Sequence, residues 1–279
     1  MIARLKKNPI ALASACFIAL ALFVALFAEW LAPYSYGGLY PDAILLPPDG
    51  GHLFGTDRLG RDLLSRVLYG TRVSVLIGVT AALGSSVIGF FYGALAGLAG
   101  KRTEGALMRV VDAVYGLPEL LLIVLLSLIF GRGPLSLAMA LAMVGWTRIA
   151  RIVRGEVLRI RVQQYYESSL ALGVGFWRRL IRYVLPNLLS PLLVATTLSI
   201  PLAILTESVI SFIGLGINDP YSAWGTSWGT LAREGWQGLR TYPHLLLFPS
   251  LAIFATALSF NLLGDWLRDE LDPRTRPTQ

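Results

Sequence analysis

The stretch VSVLIGVTAALGSSVIGFFYGALAGLAG, residues 73–100, decides the fold class, because it runs for 28 residues without a charged side chain. A helix that crosses the hydrocarbon core of a bilayer needs about 20 such residues. The stretch also carries small residues, mostly at four-residue spacing: Gly78, Ala82, Gly89, Gly93 and Gly97. Small side chains let the backbones of membrane helices approach closely. Residues 73–100 therefore predict a transmembrane helix with a close helical neighbour.

The rest of the chain repeats this pattern. Apolar residues make up 55% of the 279 positions and charged residues only 15%, against about 25% charged in soluble domains. Further apolar runs, separated by charged clusters, cover residues 10–28, 106–130, 135–147, 183–206 and 241–264. The sequence therefore predicts an all-α integral membrane protein with six transmembrane helices.

These runs predict four parts of the chain. They are an N-terminal tail with the first transmembrane helix (residues 1–32), an outer loop (33–72), a transmembrane core (73–267) that contains a basic loop at about 148–186, and a charged tail (268–279).

The second half of the outer loop has a helical pattern. Apolar residues recur at helical spacing within residues 56–69, and Asp57/Arg61 and Asp62/Arg66 are acid–base pairs at i,i+4. Both pairs place the acid first, which is the more stabilising order on a helix. We expect a short amphipathic helix here, lying at the membrane surface.

The positive charges predict the orientation. Seventeen of the 24 Lys and Arg residues fall in residues 1–7, 101–109, 148–182 and 268–276. Cytoplasmic segments of membrane proteins are enriched in Lys and Arg, so both termini are predicted to be cytoplasmic and residues 33–72 periplasmic. Because the net charge of +7 is spread over short loops, nucleic-acid binding is not expected.

Three acids lie in or beside apolar runs. The run 106–130 contains Asp112, Pro118 and Glu119, so it should be kinked and should face protein. Glu207 follows directly after the run 183–206. Glu119 and Glu207 have two interpretations. Either they line a path for a charged substrate, or they form hydrogen bonds to neighbouring helices or lie near an interface.

A motif stands within the basic loop. Residues 167–172 can form a short helix, which Gly173 can end by adopting the left-handed conformation. A second helix then carries three Arg residues, and Pro186 bends it into the fifth span. The product is a short helix held outside the membrane and joined to two spans.

This segment resembles the signature of the membrane subunits of binding-protein-dependent ABC importers, which reads Glu-Ala-Ala, three residues, Gly, nine residues, Ile, any residue, Leu-Pro. The chain matches its spacing but has Ser for both Ala and Tyr183 for the Ile. In that family the segment is the coupling helix that contacts an ATPase subunit. The resemblance implies a coupling role for Glu167, Ser168, Ser169, Gly173, Leu185 and Pro186.

Other motifs narrow the resemblance to the dipeptide, oligopeptide and nickel permease group, and within it to the dipeptide-permease C type. They are FGTDRLGRD at residues 54–62, SFIGLG at 211–216, WG at 224–225 and FNLLGD at 260–265. The similarity extends over residues 53–273. It implies the type I ABC importer permease fold, a multi-pass location in the bacterial cytoplasmic (inner) membrane and alternating access.

The resemblance also implies partners. They are a second homologous permease, two ABC ATPase subunits, a periplasmic or extracellular binding protein and membrane lipid. Di- or oligopeptides are the expected cargo, with nickel complexes or oligosaccharides as alternatives.

No catalytic residue, metal site or cofactor is predicted in the chain itself. The sequence has no Gly-x-x-x-x-Gly-Lys-Ser/Thr loop, so ATP is expected to bind to the separate ATPase subunits. His52, His244 and Cys16 form no spaced metal-binding set. Two other classes remain open, an ATP-independent channel or secondary transporter and a membrane scaffold.

Overall fold

A computed structural model describes residues 2–131, 133–217 and 224–271 of the chain. Over these ranges the fold is helical, and strand-type pairing is limited to an isolated bridge between Thr56 and Asp62. The helices are α1 (Ile2–Leu5), α2 (Pro9–Leu31), α3 (Leu63–Leu98), α4 (Lys101–Tyr115), α5 (Glu119–Phe130), α6 (Pro134–Arg161), α7 (Gln164–Ala171), α8 (Phe176–Arg179), α9 (Leu185–Phe212), α10 (Trp228–Trp236) and α11 (His244–Leu271). A π-helical stretch, Leu180–Val184, joins α8 to α9.

In the described ranges, five helical runs are long and apolar enough to cross a membrane: α2, α3, α6, α11 and the run Phe176–Phe212, which includes α8, the π-helical stretch and α9. Helices α4 and α5 pass the same criterion together and bend by 89° where they meet. Taken as one crossing, this pair completes the six predicted spans. The bend lies at Pro118, which lacks a backbone donor and disfavours helix at Leu117. The predicted kink is confirmed.

Helix α3 is the centre of the bundle and packs along α6. A Cβ atom added at Gly89 would lie 2.5 Å from Ile149 Cβ, and one at Gly97 would lie 2.7 Å from Val157 Cβ. No side chain larger than hydrogen fits at these contacts without a shift of the helices. The close helical neighbour predicted from the small residues is confirmed.

The predicted amphipathic helix over residues 56–69 is wrong in its first half. Helix α3 begins at Leu63 and continues without a break to Leu98, so the expected boundary between residues 72 and 73 falls inside one helix. Asp62 is the N-cap, and its carboxylate accepts a hydrogen bond from Ser65 N at 2.8 Å. A residue that caps a helix cannot also be part of its first turn.

The two predicted ion pairs in this segment have different outcomes. Arg61 Nε lies 2.7 Å from Asp57 Oδ2, so the first pair forms. The second does not, because Asp62 binds His52 Nδ1 and Ser65, while Arg66 binds Asp57. The cap therefore displaces the helical pairing pattern.

The basic segment is mostly helix rather than loop. Helix α6 continues past the apolar run 135–147 to Arg161, and α7 follows after a turn. Upstream of Pro186 the helix widens into the π-helical stretch Leu180–Val184. Pro186 has no N–H group and cannot form the usual i→i−4 hydrogen bond, which is consistent with a wider turn just before it. Similarly, α11 runs to Leu271, past the expected start of the tail at residue 268, and residues 272–279 lie outside the described residues.

Candidate coupling site

Helix α7 lies at the end of the bundle where α6 ends and α9 begins. Two of its residues face inward: Tyr166 and Ser169 are 3% and 1% exposed. Glu167 and Ser168 face outward. Ser169 Oγ donates a hydrogen bond to Tyr166 O at 2.6 Å. Of the motif's first three residues, Glu167 and Ser168 thus expose their side chains, whereas Ser169 stabilises the helix from within.

Gly173 ends α7 as the motif predicts. Its φ is +67°, in the left-handed region. Gly173 N donates to Leu170 O at 2.9 Å, and Val174 N donates to Ser169 O at 3.0 Å. This pair of hydrogen bonds is the Schellman arrangement that closes a helix C-terminus. A Cβ atom at Gly173 would meet nothing within 4 Å. Glycine is therefore favoured here by its backbone conformation and not by lack of space, and the surface beside it is open.

Tyr166 ties α7 to the membrane spans. Its ring belongs to one buried cluster with residues of α3, α6 and the start of the fifth span: Phe90, Ala94, Ile149, Val153, Val157, Ile160, Leu180, Val184 and Leu188. The Arg179 guanidinium lies 5.9 Å from the ring centroid, within cation–π range. A displacement of α7 must therefore move these helices or break their packing.

Apolar side chains project from the same end of the bundle. Leu172 is 80% exposed and Trp177 is 65% exposed, and Arg178 and Arg182 are exposed close by in sequence. Exposed apolar patches with a polar rim occur at surfaces that contact proteins or membranes. The motif match did not single out Leu172 and Trp177, although both are large apolar residues in a basic loop.

Residues 89–277 match the family model described as the binding-protein-dependent transport system inner membrane component. Residues 1–48 match the N-terminal transmembrane domain of oligopeptide transport permease C. The chain belongs to the binding-protein-dependent transport permeases. These permeases are non-catalytic membrane-spanning subunits of ABC transporters, and their ATPase is a separate chain.

Curated relatives of the permease align over nearly its whole length. It is 42% identical to the dipeptide transport system permease protein DppC of Bacillus subtilis, over 98% of this chain and 84% of the relative. It is 38% identical to the oligopeptide transport system permease protein OppC of the same species, over 98% and 88%. It is 35% identical to the glutathione transport system permease protein GsiD of Pectobacterium atrosepticum, over 98% and 90%.

The two acids considered for the pathway have different surroundings. Glu119 is exposed at the start of α5, directly after the bend. Glu207 on α9 is 0% exposed, and it accepts hydrogen bonds from Ser211 Oγ at 2.6 Å and Ser74 Oγ at 3.4 Å. The bond from Ser211 lies within α9, and the bond from Ser74 joins α9 to α3.

The serines around Glu207 also hold α10. Ser227 caps α10 and donates to Ser211 Oγ at 3.2 Å, and Trp228 N donates to Ser74 Oγ at 3.2 Å. Residues 225–229 read Gly-Thr-Ser-Trp-Gly, which fits the pattern Gly-x-Ser-x-Gly. That pattern can mark a hydrolase nucleophile, but Ser227 is 0% exposed and caps a helix. Its position is structural.

The far end of α10 is held by a cluster of charges, which we call the outer ion cluster: Asp57, Arg61, Arg66 and Glu234. Arg66 Nη1 lies 2.6 Å from Asp57 Oδ2 and 2.5 Å from Glu234 Oε2. Arg66 is 2% exposed, so these contacts are largely shielded from water. Together with the serines, the cluster fixes α10 at both ends to α3 and α9.

Proposed function

We propose that this permease forms half of the translocation pathway of an ATP-driven importer of di- and oligopeptides in the bacterial inner membrane. A second, homologous permease completes the pathway, two ABC ATPase subunits bind at the α7 end, and an external binding protein delivers the cargo. Both termini lie in the cytoplasm. The dipeptide and oligopeptide permeases among its relatives support this cargo class.

The observation that carries the coupling role is the construction of α7. It is a short helix outside the bundle, closed by Gly173, anchored by Tyr166 and bearing Glu167 and Ser168 outward. Leu185 and Pro186 support the coupling role indirectly, because they begin α9 directly after the π-helical stretch. We assign the ATPase contact to Glu167, Ser168 and the open surface beside Gly173, with Leu172 and Trp177 extending it.

The exposed apolar surface of α9 is an argument for a second permease. In the most apolar stretch of Phe176–Phe212, only 17% of the residues are buried within this chain. Leu189, Leu193 and Leu202 are 47%, 55% and 45% exposed. An apolar helix face that does not pack within its own chain can pack against another membrane helix or lipid. In this proposal Glu119 lines the pathway, while Glu207 holds α9 to α3 and α10.

Transport then proceeds by alternating access. ATP binding brings the two ATPase subunits together, α7 moves with the subunit that it contacts, and the buried cluster around Tyr166 passes that movement to α6 and α9. Hydrolysis resets the permease. No covalent step occurs in this chain.

Replacement of Gly173 by Trp tests the coupling role. The indole would enter open space where the ATPase is proposed to bind, so uptake and ATPase binding should fall by about tenfold or more, equivalent to about 1.4 kcal/mol of docking energy. Gly131→Trp is the matched control, since Gly131 also has a positive φ, +90°, and nothing within 4 Å of an added Cβ. It should leave ATPase binding intact. Undiminished uptake and ATPase binding in Gly173→Trp would favour an ATP-independent channel or secondary transporter, and a pull-down without any ATPase would favour a scaffold.

The cargo is tested on the binding protein that is proposed to deliver it. Calorimetric titration with dipeptides, longer peptides, nickel complexes and oligosaccharides should show binding of peptides. Tight binding of a nickel complex or an oligosaccharide, with no binding of peptides, would contradict the peptide assignment and leave the coupling role untouched.

A further inference from the structure

A large cavity opens between the ends of α6, α9 and α11 that lie nearest to α7. Its volume is about 810 Å³, within the range of about 300–1,000 Å³ typical of small-molecule sites. Charged and polar residues that line it include Glu156, Arg159, Asn187 and Arg268, and apolar ones include Val194 and Leu198.

The polar and apolar lining residues lie at different depths. Arg159 is close to the last residue of α6, Arg268 is close to the last residue of α11, and Asn187 is close to the first residue of α9. Leu198 lies 11 residues further along α9 than Asn187, which corresponds to about 16 Å along the helix axis. The cavity therefore has a charged mouth at the bundle end and an apolar wall that reaches toward the membrane interior.

The mouth carries one positive charge in excess. Arg159 Nη1 donates to both carboxylate oxygens of Glu156, at 2.8 and 3.1 Å. Within the described residues, Arg268 forms no hydrogen bond or ion pair, and its side chain is exposed. A second guanidinium is thus available beside the Arg159–Glu156 pair.

This combination suits the phosphate of a membrane lipid. Guanidinium groups bind phosphate oxygens in bidentate geometry, and basic pockets between membrane helices on the cytoplasmic side bind anionic head groups. We propose that the cavity binds an anionic phospholipid of the inner leaflet, with its phosphate at Arg268 and Arg159 and an acyl chain along Val194 and Leu198. The leaflet assignment rests on the proposed cytoplasmic position of α7.

Native mass spectrometry tests the proposal. The full-length permease is extracted from vesicles that contain equal amounts of phosphatidylglycerol and phosphatidylcholine, and the retained lipids are counted. The wild type should retain phosphatidylglycerol over phosphatidylcholine, and Arg268→Gln and Arg159→Gln should each weaken that preference by about fivefold, the effect of about 1 kcal/mol per basic residue. The control is Arg109→Gln, which removes an exposed Arg on α4, apart from the cavity-lining residues. It should keep the wild-type preference.

Equal retention of the two lipids by the wild type, or an Arg268→Gln variant that behaves like Arg109→Gln, would contradict the proposal. Two further results would also overturn it. If inorganic phosphate abolishes the preference when present at the lipid concentration, the site is one for free phosphate. If Arg268→Gln abolishes peptide uptake while lipid retention is unchanged, the cavity belongs to the substrate pathway. The lipid-retention measurement itself needs neither ATPase nor peptide, so its failure is distinguishable from failure of the proposed function.

Discussion

At the scale of single residues, Arg66 holds two acids from distant parts of the chain. Removal of its guanidinium would leave Arg61 as the one cation of the cluster beside both Asp57 and Glu234, and breaking a buried ion pair costs about 3–5 kcal/mol. Because Glu234 keeps 40% of its side-chain exposure, we expect the lower end of that range. Arg66→Gln should destabilise the purified permease by about 3 kcal/mol, measured as a lower thermal midpoint.

Arg58→Gln is the control for this prediction. Arg58 is exposed and makes one hydrogen bond, to Gln237 Oε1 at 3.0 Å, so its loss should change stability by less than about 0.5 kcal/mol. Similar thermal midpoints for the two variants would show that the outer ion cluster does not stabilise the fold.

The same cluster shows what local sequence could not predict. The i,i+4 rule pairs Asp62 with Arg66, but that rule holds only if both residues lie within a helix. Asp62 is instead the cap of α3, and Arg66 binds Asp57 and also Glu234, which lies 168 positions away. Contacts between residues so far apart in the sequence are determined by tertiary packing. The same holds for the contacts between Glu207 and the serines around it.

At the scale of helices, the contact between α3 and α6 depends on glycine. A Gly→Ala change at an exposed position inside a helix normally stabilises it by about 0.5–1 kcal/mol. At Gly89 the added methyl would meet Ile149, and overpacking of this kind costs about 1–3 kcal/mol. We expect Gly89→Ala to lower the thermal midpoint.

Gly105→Ala is the control for this prediction, and it should not lower the thermal midpoint. Gly105 lies inside α4, and an added Cβ there meets nothing within 4 Å. This change should leave the thermal midpoint unchanged or raise it. If Gly89→Ala also raised the midpoint, the close approach of α3 and α6 would be wrong.

Helix α10 should loosen when its cap is removed. Ser227 Oγ accepts a hydrogen bond from Thr230 N and donates one to Ser211 Oγ. Loss of a cap costs about 1 kcal/mol, so Ser227→Ala should speed hydrogen exchange in residues 228–236 by about fivefold. Ser127→Ala, which removes a hydroxyl bonded within α5, should leave that exchange unchanged. Unaltered exchange of α10 in Ser227→Ala would contradict the role assigned to the serines.

Short-range sequence predicted α7 well, and packing explains the remainder. The helix and its end at Gly173 follow from a local pattern, because a glycine can adopt a positive φ at little cost. The inward direction of Ser169 and the π-helical stretch before Pro186 do not follow from it. Both depend on how Tyr166 and Leu180 fit between α3, α6 and α9.

At the scale of the whole molecule, one helical run connects the two ends of the bundle. Phe176–Phe212 contains 37 residues and extends about 55 Å. It begins beside α7, and near its other end Glu207 and Ser211 hold α10 through Ser74 and Ser227. We therefore expect movement of α7 to reach α10 along this run. Hydropathy predicted six spans, which agrees with the structure if α4 and α5 form one crossing, but this arrangement follows from how the helices pack.

Cross-linking from α7 tests most directly whether this helix meets an ATPase. Cys16 is the single cysteine of the sequence, so Cys16→Ala provides a background for placing one cysteine at Ser168, which is exposed on α7, or at Ser35, which is exposed before α3 at the opposite end of the bundle. In membranes that take up peptide, Ser168→Cys should cross-link to the ATPase subunit and Ser35→Cys should not. Absence of the Ser168→Cys product, or equal yields from both positions, would contradict the coupling role of α7.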